Sequence, residues 1–447
     1  MSTKTKVAVI DGGGRGAALV RAYAKSEHVK SVLAIPGNDM MRVGSEKPIL
    51  TFPGIQTTSI KEIVDICRSN QVALVDVAHD NAVEAGLADA LRSAGITTLG
   101  PTRASGEIEW NKVFARELGK NHHLPQPRYK VFHSEKKGIT YILNQPESSI
   151  FIKASGLVDG KGAIPATNHE EALRAIKRMS TFGSAGKTFL IEQWLRNEDG
   201  TNAEEFSTFA ISDGSKFRIL GSAQDHKRVD DLEIGLNTGG MGCSTPPLVL
   251  TSHLISEVEN IFRIVINSLN AQNRKYNGSL YLGGILLNKK GNIEPYIVEW
   301  NARWGDPEAQ VIVPGIKTDM FEMGLLIARG DMGGLDIKVD SKSRVVVAGV
   351  ALGYPGDYDS AKGKQIFGLE DAMAVKGVEV YGAGVRVENG KYYVNGGRLF
   401  YVMGEGNDII EAKVKAYSAM SLVSIEGNNL HYRKNIGWRD VARLQRK

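Results

Sequence analysis

The sequence predicts a multidomain α/β and α+β protein: a doubly wound parallel sheet at the N-terminus, a mixed central domain, and a small α+β domain at the C-terminus. Three observations predict it. Strand and helix patterns alternate through the first hundred or so residues, glycine-rich loops interrupt a series of apolar strands in the middle, and after Gly330 the pattern turns to hairpin signals. The 447 residues, 42% hydrophobic and 23% charged, have the composition of an ordinary globular chain with room for about two to four cores.

Val7 to Ile10 reads as a buried strand, Asp11-Gly12-Gly13-Gly14-Arg15-Gly16 as a loop, Ala17 to Ser26 as a helix and Ser31 to Ile35 as the next strand. Val72 to Ala78 and Thr97 to Leu99 continue the sheet, between helices at Ile60 to Ser69 and Asn81 to Ala94. Gly100-Pro101-Thr102 breaks the alternation, and a helix follows over Glu107 to Gly119. Strands are then expected at Ser149 to Lys153, Thr188 to Glu192, Phe206 to Ile211, Phe217 to Ser222 and Tyr296 to Trp300. The last part holds a strand at Arg344 to Leu352, hairpin signals at Asn389-Gly390 and Asn395-Gly396, and a helix from Asp408 to about Ser421. The expected domains are 1–105, 106–332 with a mobile lid over about 125–192, and a separate unit at 333–447.

A formal charge of +5 with no concentrated basic run argues for solvated surface rather than a nucleic-acid face. No apolar run approaches the roughly 18 residues of a membrane helix. Cys67 and Cys243 are too few and too distant for a disulfide framework, and Cys67 falls on the apolar face of its helix with Ile60, Ile63 and Val64. The expectation is a cytoplasmic protein without a membrane or nucleic-acid partner.

Five clusters can carry chemistry. Gly12 to Gly16 opens a helix after a strand, and reads equally as an anion site made of backbone N–H groups or as a tight turn. An oxidoreductase dinucleotide site would also need an acid after the next strand, where Ile35-Pro36-Gly37 has none. Lys153 to Gly162 joins a strand lysine to a flexible loop with Gly156, Gly160, Lys161 and Gly162, which suits a triphosphate, although Walker spacing is missing and a plain surface loop stays open. Glu299 and Asn301 end an apolar strand on one face, a pair of hard oxygens suited to Mg²⁺, with Arg303 next on that face; a solvated strand end is the alternative. Gln224-Asp225-His226-Lys227-Arg228 and Asn237-Thr238-Gly239-Gly240-Met241-Gly242 are a charged segment and a small-residue loop, each readable as an active-site wall or a surface turn.

In their order along nearly the whole chain, these motifs, with Gly100-Pro101-Thr102, Gly353-Tyr354-Pro355-Gly356, Gly396-Gly397-Arg398 and Tyr432-Arg433-Lys434-Asn435-Ile436-Gly437, resemble the glycinamide ribonucleotide synthetase family of the ATP-grasp superfamily. The resemblance implies a central ATP-grasp fold and an ATP-dependent ligase that joins glycine to 5-phosphoribosylamine through glycyl phosphate. It assigns Lys112, Lys153, Gly156, Gly160, Lys161 and Gly162 to the ATP phosphates, Glu192, Gln193, Trp194 and Leu195 to the adenine hinge, and Glu299 and Asn301 to Mg²⁺, or Mn²⁺ in its place. Asp225, Lys227, Arg228 and Arg303 take the catalytic positions; Gly13, Gly14, Arg15, Gly239, Gly240, Met241, Gly242, Asp306 and Arg433 fall around the substrates. A monomer or loose homodimer is implied. The chain departs from the family where Gly16-Ala17 replaces Glu-His, Ala78-His79-Asp80 replaces Gly-Pro-Glu, Ser155 replaces Asp and Asn435 replaces Asp. The first two losses alter the amine side, so a ligase for a different amine and a catalytically silent nucleotide-binding paralogue are the alternatives.

Overall fold

A computed structural model describes residues 4–158 and 162–446. The first domain is a five-stranded parallel sheet. Its strand Thr5–Ile10 lies between Val29–Ala34 and Val72–Val77, with Ile49–Thr51 and Thr98–Leu99 at the edges. Helices Gly14–Lys25 and Ile60–Ser69 cover it, as the alternation predicted. The expected helix over Asn81 to Ala94 is two, Asp80–Ala85 and Leu87–Ser93, because Gly86 adopts φ 84° and ends the first. The expected helix over Glu107 to Gly119 is likewise two, Arg103–Trp110 and Lys112–Asn121; Asn111 leaves helical geometry and caps the second through Phe114 N (3.1 Å).

The segment expected as a lid is a four-stranded antiparallel sheet in which Phe189–Gln193 sits between Tyr129–Phe132 and Ile150–Ala154, with Ala163–Ala166 at the edge. Helices Glu135–Leu143 and His169–Met179 pack on it. Cys67 is fully buried, as expected, and its thiol is pushed up to about 12 by that burial.

The central sheet carries the strands that position the site: Glu204–Asp213, Phe217–Asp225, Asn277–Lys289 and Asn292–Asn301, all antiparallel neighbours. It does not stop there. Gly242–Thr245 pairs with Asp225 on one side and with Ser343–Ala351 on the other, so the C-terminal unit shares the central sheet instead of standing apart. Asn389-Gly390 makes the tight turn its dipeptide predicted, with φ of 50° and 73°. Asn395-Gly396 does not: Lys391–Val394 belongs to a four-stranded sheet and Arg398–Gly406 to the large one, so the chain crosses between sheets, with Gly396 packed backbone to backbone against Gly384.

Candidate active site

The strand Asn292–Asn301 runs antiparallel to Asn277–Lys289, placing Glu299 opposite Gly283 and Asn301 opposite Tyr281. Their side chains share a face, as alternation required. Glycine opposite Glu299 is structural: a Cβ at Gly283 would lie 2.9 Å from Glu299 Cγ. Lys227, Lys153, Lys112 and Arg303 surround the carboxylate, and although desolvation pushes its pKa up, their combined field holds it below the usual range. The Arg303 guanidinium donates to Asn301 Oδ1 (2.9 Å) and pairs with Glu109 (3.2 Å), while Glu109 also accepts from Ala302 N (2.7 Å). Glu109 was not foreseen; it lies in a helix where nothing in the sequence distinguishes it from a surface acid.

The lysine of the lid is tied down in the same manner. Glu192 is 1% exposed and accepts from Lys153 Nζ (2.8 Å) and from Arg116 Nε (2.7 Å) and Nη2 (3.1 Å). Burial would raise its pKa, but Arg116 and Lys153 outweigh burial and hold it at about 2. Arg116 reaches on to the Val298 carbonyl (2.6 Å), which joins lid and central strand directly beside Glu299. The expected contribution of Glu192 to an adenine hinge is therefore not through its side chain, whose oxygens are spent inside the protein. Gln193 is exposed, Trp194 packs on Phe151 (4.8 Å), and Leu195 enters a small cluster with Ile285 and Leu287 where the chain leaves the lid.

Lys112 is half-buried, donates to the Gly156 carbonyl (3.3 Å), and has its pKa lowered by desolvation and by Lys153 against the pull of Glu299. Gly156 is pressed against Ala185, where a Cβ would come within 2.8 Å of backbone, and Gly162 accepts from Ala154 N (2.8 Å). Gly160 and Lys161 lie outside the described residues. An open cleft of about 550 Å³ is lined by Trp110, Asn111, His133, Ser155 and Gly156 among others.

Asp225 and Lys227 line, with Glu205, Tyr281 and Glu299, an enclosed space of about 10 Å³, room for roughly one water molecule. Glu205 holds Lys227 (3.0 Å) well above its ordinary pKa. Burial, with Glu308 beside it, pushes the Asp225 carboxyl well up. Gly240 touches this group: with φ 111° and a notional Cβ 2.4 Å from Pro307 and 2.9 Å from Asp225 Oδ1, only glycine fits.

Four expected site residues are placed elsewhere. Arg228 lies on a short ribbon, Arg228–Asp230 against Ile234–Asn237, and donates to Gly235 O (2.8 Å) rather than into the enclosed space. Met241 is fully buried, and Gly242 opens the strand shared with the C-terminal unit, so only Gly239 and Gly240 of that loop face the junction. Arg433 is completely buried and spends its donors on Glu233 (2.8 Å), Asn435 (2.9 Å) and the Arg228 carbonyl (3.1 Å), which fastens the chain's end under the ribbon. His226 belongs to the same knot: Gly437 N donates to its Nε2 (3.1 Å), so its Nδ1 carries the proton and donates to Glu233 (3.1 Å).

Burial outweighs Glu233 and lowers the His226 pKa to about 4 from 6.5. Because the folded value is depressed, the neutral imidazole's contribution is fully present above about pH 6.5 and is lost as pH falls through about 4, a change of about 3 kcal/mol. Asp76, raised to about 7 by burial, has the opposite slope over much of this window, so the expected result is read as a difference. The urea-unfolding gap between wild type and His226→Gln should shrink as pH drops from 7 to 4.5; a constant gap contradicts the neutral assignment.

Of the first-domain residues, Gly13 and Gly14 close the turn, with Gly14 packed so tightly that a Cβ would meet Tyr401 at 2.2 Å. Arg15 pairs with Asp11 (2.6 Å) and donates to Trp304 O (3.0 Å). Asp306 is held by Gln310 (2.6 Å) and by Arg398 (2.9 Å), whose guanidinium also binds the Gly239 carbonyl. Arg398 thus brings the C-terminal unit into the site, a role its motif did not reveal. Asp80, beside His79 (2.8 Å), has its carboxyl held well below the usual range: burial opposes this, and His79, Arg303 and Arg15 prevail.

Comparison with known proteins identifies the family. Residues 5–109, 110–309 and 344–439 match the family models described as the N domain, the ATP-grasp (A) domain and the C domain of phosphoribosylglycinamide synthetase. The chain is 34% identical over 445 residues to phosphoribosylamine–glycine ligase of Escherichia coli O6:H1, covering 98% of this chain and 100% of that one. It is 35% identical over 450 residues to the human trifunctional purine biosynthetic protein adenosine-3; there it covers 98% of its own length and spans 42% of the relative. The crystal structure of phosphoribosylamine–glycine ligase from Thermotoga maritima superposes with a TM-score of 0.77 at 28% identity over 97% of this chain and all of that one. A biotin carboxylase from Campylobacter jejuni shares the fold alone, with a TM-score of 0.71 at 13% identity, over 96% of this chain and 93% of its own. With three successive family models matched in order along nearly the whole chain, the chain belongs to the phosphoribosylglycinamide synthetase family.

Proposed function

We propose that the chain is an ATP-dependent ligase that joins glycine to 5-phosphoribosylamine through glycyl phosphate, giving glycinamide ribonucleotide, ADP and phosphate in purine biosynthesis. The arrangement of charge around Glu299 carries the reading. Glu299 is a buried carboxylate kept ionised by Lys112, Lys153, Lys227 and Arg303, while Glu192, Glu205 and Glu109 pair with the last three of these cations. Fixed lysines and an arginine beside an ionised carboxylate suit a polyphosphate that arrives with its divalent ion.

The residues present fit Mg²⁺ on those terms: the Glu299 carboxylate and the second lone pair of Asn301 Oδ1, whose first is taken by Arg303, are hard oxygens. Bound there with the nucleotide, Mg²⁺, or Mn²⁺ in its place, would neutralise charge on the phosphate oxygens. Lys112 and Lys153 hold the phosphates, and Gly156 to Gly162 cover them. The glycine carboxylate attacks the γ-phosphorus, the bond to the bridging oxygen breaks, and ADP leaves. Arg303 offsets charge on the transferring group. The amine nitrogen then attacks the glycyl carbonyl carbon, phosphate departs, and Asp225, whose affinity for protons is raised by its surroundings, takes the proton the amine loses. Lys227 orients the carboxylate; Gly239 and Gly240 let the acyl phosphate approach backbone. The setting is cytoplasmic and the chain acts as a monomer or loose homodimer, without nucleic acid. Among the described residues no helix is long and apolar enough to cross a membrane.

A second reading, ligation of a different amine, is favoured by one observation: Arg15 and two N–H groups of the first glycine turn are already engaged by Asp11. Phosphate release from Mg-ATP, with glycine and freshly generated 5-phosphoribosylamine omitted in turn, decides. Turnover that needs both supports the proposal; turnover with glycine but indifferent to phosphoribosylamine supports the second reading; no turnover with any amine leaves a silent nucleotide-binding paralogue.

A further inference from the structure

We propose that Asp11 is a positioning residue of the ligase site, acting through Arg15 and the Trp304 carbonyl on Arg303, and that it does the work a capping acid at residue 16 would do. Its consequence for turnover rests on the function proposed above; its geometry rests on packing alone.

Asp11 is 1% exposed. One carboxylate oxygen accepts from Gly13 N (2.5 Å) and Gly16 N (3.3 Å). Gly13 is the N-cap of the helix Gly14–Lys25, and its N–H is the group that a Glu at residue 16, the third helical position, would take in a capping box. The two arrangements exclude each other. A Cβ at Gly16 would lie 2.7 Å from Asp11 Cβ and 2.8 Å from Asp11 Oδ1, so an aspartate at 11 requires glycine at 16. With aspartate at 11 there is no room for a side chain at 16, and the carboxylate reaches the same N–H from the strand side.

The other oxygen takes Arg15 Nε (2.6 Å) and Nη2 (2.6 Å). Arg15 Nη1 is left to donate to Trp304 O (3.0 Å), 289 residues away in sequence. That carbonyl also accepts from Arg303 Nη1 (3.2 Å), and Arg303 Nη2 holds Asn301. A continuous line of charge-assisted bonds thus runs from the first helix to the metal-side strand end, and each member leaves the next little freedom. Catalytic geometry is sensitive to displacements of about 1 Å at such points.

The test compares Asp11→Asn, Asp11→Gly, Gly16→Ala, D11G/G16A and D11G/G16E. Asp11→Asn keeps the shape and loses the ion pair; it should cut kcat at saturating substrates about tenfold or more with a Tm change of only a few degrees, and D11G/G16E should recover to within about threefold of wild type. A merely structural role would move Tm and leave kcat alone. The proposal is overturned if Asp11→Asn stays within about twofold of wild-type kcat, or if the exchange variant is no better than Asp11→Gly. The second arm needs no turnover: in urea unfolding, Gly16→Ala should cost clearly more in wild type than in Asp11→Gly, and additive costs overturn the interlock. Should wild type fail to use phosphoribosylamine, the functional reading fails while this arm still decides the geometry.

Discussion

Glu299→Gln is expected to lower Mg-ATP turnover on the order of 10³-fold, equivalent to about 4 kcal/mol of barrier, in a protein that remains folded. The substitution keeps the side chain's volume and removes a buried carboxylate on which the fields of Lys112, Lys153, Lys227 and Arg303 converge. Two losses compound: a hard anionic ligand disappears, and the cations it had screened repel one another where phosphate charge must be placed accurately. Asn301 alone offers a neutral oxygen already shared with Arg303. Steady-state phosphate release over a range of Mg²⁺, with circular dichroism as the folding control, checks this. Activity within tenfold of wild type would remove Glu299 from the metal role.

Glu192→Gln should be the most damaging substitution for stability, at about 3–5 kcal/mol, because it leaves Arg116 and Lys153 buried against a neutral amide. The pH dependence gives an independent measure. The folded pKa of about 2 lies below the ordinary 4.5, so the contribution is present above about pH 4.5 and is lost as pH falls toward 2, about 3 kcal/mol in all. Urea midpoints for wild type and the variant should converge across that window. Parallel curves would mean that Glu192 is not the counter-ion the geometry makes it. Since Lys153 is anchored by Glu192, the variant should also bind Mg-ATP more weakly, and Lys153→Met should share that defect with a smaller stability loss.

The two predictions touch residues whose legibility differed. Glu299 and Asn301 were readable because a strand's period of two places them on one face whatever surrounds the sheet. Glu192 was found by its motif, and the fold adds that its side chain is engaged by Arg116 and Lys153. Its partner Arg116 looks like any helix arginine until the lid folds back and buries it. Arg433 and Arg228 differ from their expected positions because a guanidinium in a motif can meet a substrate or tie two loops together, and only the fold shows which: Arg433 is buried on Glu233 and Asn435, and Arg228 bonds Gly235 O within its ribbon. Helix breaks at Asn111 and Gly86 depended on single-residue backbone geometry that the apolar period does not report.

By itself the sequence determined the α/β alternation of the first domain, the glycine loop with its strand lysine, the paired oxygens at 299 and 301, and the order of motifs that marks the family. These are local properties, encoded in periodicity and spacing over about ten residues, so they survive without knowledge of neighbours. Tertiary structure alone decided which charges meet. It set Glu192 between Arg116 and Lys153, carried the central sheet into the C-terminal unit through Gly242–Thr245, brought Arg398 to Asp306, and placed Asp11 on Arg15 where a side chain at residue 16 would collide. The reason is physical: a buried ion pair costs desolvation at every partner and is kept only where the geometry satisfies all of them together, and that condition joins residues hundreds of positions apart.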